Sequence, residues 1–97
     1  MRVYHVKYYC KEGMREAFMK AIKDEKIDWL CQHEPGNLQY EYTYSVDEPN
    51  VLLLTEVWES AEALEVHAKT AHLKRLAEIK KDFVSETAIE KFEAQRI

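Results

Sequence analysis

Two histidines five residues apart, His67 and His72, lie within the segment Glu65-Val66-His67-Ala68-Lys69-Thr70-Ala71-His72. Imidazole titrates near neutral pH, so it suits general acid–base work, and it is also the commonest metal ligand. The two uses need different spacings. On one continuous helix five residues turn through roughly 500°, which sets the side chains about 140° apart instead of on the single face of an i, i+4 zinc pair. The spacing therefore predicts no metal centre. His67 shares a stripe with Leu64 and Ala71 and faces inward. There it is either a hydrogen-bonded core histidine, the commoner outcome, or a base in an apolar pocket.

Trp58 closes an apolar run and serves as a pocket wall or as plain core. Tyr40 and Tyr42, with Tyr44, could line a ligand, although an aromatic row at strand spacing more often packs against a helix or a second subunit. Asn37 follows Gly36, a position that orients a polar ligand or simply shapes a turn. Cys10 and Cys31 have no basic neighbour pattern that would specify a reactive thiolate and read as structural. With only two glycines in the chain there is no phosphate-cradling loop, and neither a Gly-x-Ser-x-Gly turn nor a nucleotide fingerprint occurs. A bound dinucleotide is not expected.

These residues need elements to position them. Val3–Cys10 is rich in β-branched and aromatic residues and stops at Lys11-Glu12-Gly13, which marks a first strand. From Met14 to about His33 the apolar positions Met14, Phe18, Ala21, Ile22, Trp29, Leu30 and Cys31 keep helical spacing, and Glu34-Pro35-Gly36 ends that helix. Asn37–Val46 alternates, with Leu38, Tyr40, Tyr42 and Tyr44 on one face, and Val51–Trp58 pairs with it across Asp47-Glu48-Pro49-Asn50. Ser60 caps a short helix, which bends near Thr70 into a second one running to about Phe83, and Ser85–Ala94 supplies a last strand.

Strand, helix, strand, strand, helix pair, strand is the split βαβ order of an α+β, ferredoxin-like fold: a four-stranded antiparallel sheet with helices on one face. The other face then needs cover. A homodimer is the economical solution, given the apolar face of the tyrosine strand.

A length of 97 residues fits one domain spanning 1–97. A formal net charge of −4 argues against a nucleic-acid partner. The longest apolar run, Val51-Leu52-Leu53-Leu54, is too short to cross a membrane, and His5 and Lys7 interrupt any secretory-type apolar stretch, so a cytoplasmic location is expected.

Thr55-Glu56-Val57-Trp58-Glu59-Ser60, followed by Glu62-Ala63-Leu64 and His67-Ala68-Lys69-Thr70-Ala71-His72-Leu73, resembles the signature of the antibiotic biosynthesis monooxygenase family. Glu34-Pro35-Gly36-Asn37-Leu38-Gln39-Tyr40-Glu41 is similar to that family's entry into its second strand. The resemblance implies a dimeric α+β barrel whose last strand contributes to the partner's sheet. It also implies a pocket in which some members oxygenate anthrones or quinols with O₂ and without metal or flavin. An electron-rich phenol, once deprotonated, itself reduces dioxygen, so the protein supplies a base, oriented hydrogen bonds and a dry cavity. His67 would be that base, with His72, Trp58, Tyr40, Tyr42 and Asn37 orienting or enclosing a small aromatic substrate.

The haem-degrading branch relies on an Asn, a Trp and a His. Here His67 stands where that Trp would be and Ala77 where the histidine would be, so haem degradation is disfavoured. A branch that processes a phosphorylated autoinducer shares the paired histidines, which leaves open an isomerase of a small phosphorylated ketone, with Lys69, Lys74 and Arg75 as candidate phosphate partners. A non-catalytic dimeric small-molecule-binding module is the third reading.

Overall fold

The computed structural model describes residues 1–97. The elements are β1 (Arg2–Cys10), α1 (Arg15–Asp24), α2 (Ile27–Gln32), β2 (Asn37–Tyr44), β3 (Val51–Trp58), α3 (Ala61–Ala68), α4 (Ala71–Phe83) and β4 (Val84–Glu93). The strands form one antiparallel sheet in the order β2-β3-β1-β4, the ferredoxin-like arrangement the element order predicts. β3, the most apolar strand, lies inside the sheet, and its Leu52, Leu54 and Trp58 are essentially inaccessible to solvent. With Val6 and Tyr8 of β1 they pack against Phe18, Ile22, Ile27, Cys31, Leu76 and Ile79 from the helices. Each such side chain contributes about 1.5–3 kcal/mol by leaving water. No helix is long and apolar enough to cross a membrane.

The single long helix expected from Met14 to His33 is two helices. Lys26 takes a left-handed conformation, φ 56°, and its N–H donates to the Lys23 carbonyl, which ends one helix and re-aims the next. The break turns Ile27 and Cys31 into the core, one helical turn apart. Trp29 is left outside, where it stacks on the His33 ring. Asp28 is also buried and is paired with Lys23 Nζ at 2.5 Å.

The tyrosines of β2 do not form the uncovered face. Tyr40 and Tyr42 point to the helix side and join the core, and Tyr44 lies beneath the Arg15 guanidinium, 4.3 Å from its ring centre. Leu38 leaves their row because the β2–β3 register shifts between Asn37 and Gln39, and it is exposed. The opposite face presents a mixed surface that includes His5, Lys7, Thr43, Leu53, Thr55, Ala88 and Glu90. β4 pairs with β1 of its own chain and forms one edge of the sheet.

Two caps shape the second half. The Ser60 hydroxyl accepts from the Ala63 N–H and starts α3. The Thr70 hydroxyl accepts from the Leu73 N–H at the start of α4 while donating to the His67 carbonyl at the end of α3. The predicted bend near Thr70 is thus a full break.

The turn between α2 and β2 sits tightly against α3. Gly36 has φ 83°, and a Cβ there would come 2.7 Å from the Ala63 Cβ. Gly36→Ala is expected to destabilise the fold by roughly 1–3 kcal/mol through combined backbone strain and overpacking, measured as a lower midpoint in urea unfolding at unchanged slope.

Candidate functional site

His67 is buried near the end of α3, and His72 lies in the first turn of α4. Because the chain breaks at Thr70, the continuous-helix angle does not apply, and both rings converge on one acceptor. Glu34 Oε2 is 2.7 Å from His67 Nδ1 and 2.8 Å from His72 Nε2. A carboxylate accepts only, so both ring nitrogens donate to it. With its proton fixed on Nδ1, a neutral His67 ring carries its lone pair on Nε2.

Glu34 reaches this point through the turn. α2 ends at Gln32, the Glu34 N–H donates to the Cys31 carbonyl, and the Asn37 N–H donates to the Glu34 carbonyl. The close approach at Gly36 then brings the side chain against α3 and α4. Only 8% of that side chain is exposed, and its second oxygen, Oε1, has no hydrogen-bond partner in the protein. An unmet buried acceptor costs about 1–3 kcal/mol.

The other side of His67 faces a cleft of about 390 Å³ between the sheet and α3–α4. Tyr4, Val6, Tyr8, Tyr40, Glu56, Leu64, Leu73 and Leu76 are among its walls, with Lys80 and Lys91 as its cations. His67 Nε2 is 3.7 Å from Glu56 Oε1, too far for a direct hydrogen bond. Glu56 Oε1 instead accepts from the Trp58 indole N–H at 3.0 Å, and the Trp58 ring packs on the imidazole with centroids 4.4 Å apart. Burial pushes the Glu56 carboxyl above the usual range, with the Trp58 hydrogen bond and the neighbouring His67 opposing.

Tyr40 projects into the cleft, its ring edge-on to His67, and its hydroxyl is 3.3 Å from that of Tyr42. Burial raises both phenols well above their ordinary values. Burial also pushes the Cys31 thiol up to about 12, with a hydrogen bond to Tyr40 opposing.

Of the residues picked from the sequence, His67 and Tyr40 line the cleft. Trp58 and His72 touch His67 or its carboxylate partner without lining it. Tyr42 lines a neighbouring hollow with Met19, Gln32 and Leu52. Asn37 is not brought to the cleft: its side-chain N–H donates to the Gln39 and Val57 carbonyls and secures the register shift of β2. Lys69 and Lys74 are exposed, and Arg75 is held by Glu25 at 2.8 and 2.9 Å.

Sequence reasoning passed over Glu34 and Glu56. Glu56 carries a signal: it is the one charged residue on the inward row Leu52-Leu54-Glu56-Trp58. Glu34 reads as part of a turn.

The sequence model of the antibiotic biosynthesis monooxygenase family matches residues 1–79. The chain belongs to this family. No protein of curated function matches it. Among solved structures, a candidate antibiotic biosynthesis monooxygenase from Nitrosomonas europaea aligns over 99% of this chain and 100% of its own, with TM-score 0.88 and 24% identity. One from Deinococcus radiodurans aligns over 100% and 95%, with TM-score 0.88 and 19% identity. A conserved Bacteroides thetaiotaomicron protein of unknown function aligns over 96% of each chain, with TM-score 0.85 and 29% identity. In this antibiotic biosynthesis monooxygenase-family chain the matched region ends at Ile79, so it contains every member of the histidine–carboxylate cluster but not β4.

The raised Glu56 pKa sets a sign. A carboxyl whose folded pKa lies above its unfolded value contributes stability at low pH and loses it as pH rises through the folded pKa. Glu56→Gln, which keeps an acceptor for Trp58, should therefore gain stability relative to wild type as pH is raised from about 4 to about 7. Thermal melts across that range would show the difference widening. A constant or shrinking difference would contradict the burial cause.

Proposed function

We propose that this protein is a cofactor-independent monooxygenase that oxidises a small electron-rich aromatic, of quinol or anthrone type, with O₂ in the cleft beneath α3 and α4. The observation that carries this reading is the placement of His67: Nδ1 is tied to Glu34, and Nε2 lies on the side of Glu56, which lines the cleft together with His67. A substrate hydroxyl or acidic C–H presented to Nε2 loses its proton there, and Glu34 stabilises the imidazolium that forms. The resulting anion is a strong enough reductant to pass an electron to O₂. A carbon–oxygen bond then forms, the proton on Nε2 returns to the peroxide, and water leaves as the carbonyl product appears. The apolar walls Val6, Leu64, Leu73 and Leu76 suit a flat aromatic ring and keep bulk water from the peroxide.

His72 shares the Glu34 oxygen and acts as a positioning residue, holding the carboxylate that orients His67. With an anthrone as substrate, His67→Ala should slow O₂ uptake by roughly 10² or more, and Glu34→Gln by a smaller factor, since it leaves the ring in place but weakens its anchor. Oxygen-electrode rates on folded variants test this. Wild type consuming no oxygen above background across quinols and anthrones would end the reading.

A second reading has one observation in its favour. Lys80 and Lys91 put positive charge on the cleft wall, as isomerisation of a small phosphorylated ketone would need. Turnover of such a ketone without O₂ uptake would select it.

We also infer a homodimer. The family frequently forms one, and the sheet face away from the helices has no cover within the chain. Light scattering at micromolar concentration should give about twice 11.5 kDa. A mass near 11.5 kDa would refute it.

A further inference from the structure

Four potential metal donors meet behind His67, on the side away from the cleft. They come from four separate places in the fold: Cys31 from α2, Glu34 from the turn after it, His67 from α3 and His72 from α4. One donor atom from each lies within 4.8 Å of every other. Cys31 is fully buried, Glu34 and His67 nearly so, and His72 sits at the rim with 16% of its side chain exposed. A second observation points to a ligand at the same place. Glu34 Oε1 is buried without a partner, although its sister oxygen accepts two N–H groups. The same carboxylate faces the Cys31 thiol, so an ion held among the four donors would meet the acceptor that the protein leaves unpaired.

We propose that Cys31, Glu34, His67 and His72 form a binding site for a divalent transition metal of the zinc type. One sulfur, two imidazole nitrogens and one carboxylate oxygen are the donors that zinc and cobalt prefer and that magnesium and calcium avoid. Four donors match the tetrahedral number. At bond lengths of about 2.0–2.3 Å the donor atoms of such a site stand roughly 3.3–3.8 Å apart. The two gaps at Glu34 Oε2, 2.7 and 2.8 Å, open, and the widest, within 4.8 Å, close. These are side-chain movements on the order of 1 Å. On binding, the Cys31 thiol gives up its proton to solvent; thiolate and carboxylate then carry two negative charges, so the loaded site is neutral, which suits its burial. His72, the exposed donor, marks the way in.

The site lies beyond the oxygenase reading but touches it at one ring. A metal on His67 Nδ1 leaves the imidazole proton on Nε2, so, if His67 is the base, the loaded protein is the slow form. Metal occupancy and oxygen uptake therefore have separate assays.

The test is cobalt titration of the full chain after chelator treatment, followed by absorption. Wild type should take up one Co²⁺ per chain, with thiolate-to-cobalt charge-transfer absorption and the ligand-field bands of a four-coordinate ion, and Zn²⁺ should abolish both. Cys31→Ser should remove the charge-transfer absorption. His72→Ala, at the rim and the least disruptive of the set, should weaken binding by about tenfold or more. His33→Ala, which removes an exposed histidine close by in sequence, should titrate as wild type does. If circular dichroism shows that Cys31→Ser fails to fold, His72→Ala decides. Absence of charge-transfer absorption in wild type at saturating cobalt, or a His72→Ala titration matching wild type, would overturn the proposal. Neither result bears on whether the chelator-treated protein consumes oxygen.

Discussion

One carboxylate oxygen, Glu34 Oε2, accepts from two imidazoles that belong to two different helices. That shared acceptor ties α3 and α4 to the turn after α2, and the orientation of the cleft histidine depends on it. Three local devices converge to make it available. Thr70 satisfies both helix ends at the break, so His67 and His72 face each other instead of diverging. Gly36 removes the side chain that would hold the turn off α3. Lys26, in its left-handed conformation, aims α2 so that its end delivers Glu34 to the junction.

Two carboxylates buried under one helix layer are costly in isolation. Glu34 is compensated by its imidazoles and Glu56 by the Trp58 indole, yet the compensation is incomplete in both cases. Glu34 keeps an orphan oxygen, and Glu56 remains harder to ionise than an ordinary carboxyl. Such local violations of the rule that buried polar groups are satisfied concentrate where a protein acts on something other than itself. The hydrophobic cluster around them consists of aliphatic and aromatic side chains interleaved between sheet and helices.

The sheet could be read from the sequence because its signals are local. Period-two alternation marks β2, and β-branched and leucine-rich runs mark β1 and β3. Ser60 announced a helix start through side-chain chemistry that acts within three residues, and Thr70 holds the break near it by the same kind of contact. What escaped were events set by tertiary packing. Nothing in Lys23-Asp24-Glu25-Lys26 announces a left-handed residue; the break is fixed by Ile27 and Cys31 entering the core. The register shift that expels Leu38 depends on pairing with β3. His67 and His72 were visible as chemistry, but their convergence depends on an interhelical angle that no spacing encodes. Glu34, thirty-three residues before His67, looked like part of a Pro-Gly turn, because a long-range partner leaves no periodic trace.

The two nitrogens of His67 face different neighbours, Nδ1 the shared carboxylate of Glu34 and Nε2 the cleft-lining Glu56. Behind the ring the contacts continue through Glu34 to His72, whose side chain is partly exposed at the rim. The buried ring and the protein surface are thus joined by one shared carboxylate, so a charge gained or lost at His72 is felt at His67 without anything passing through the cleft.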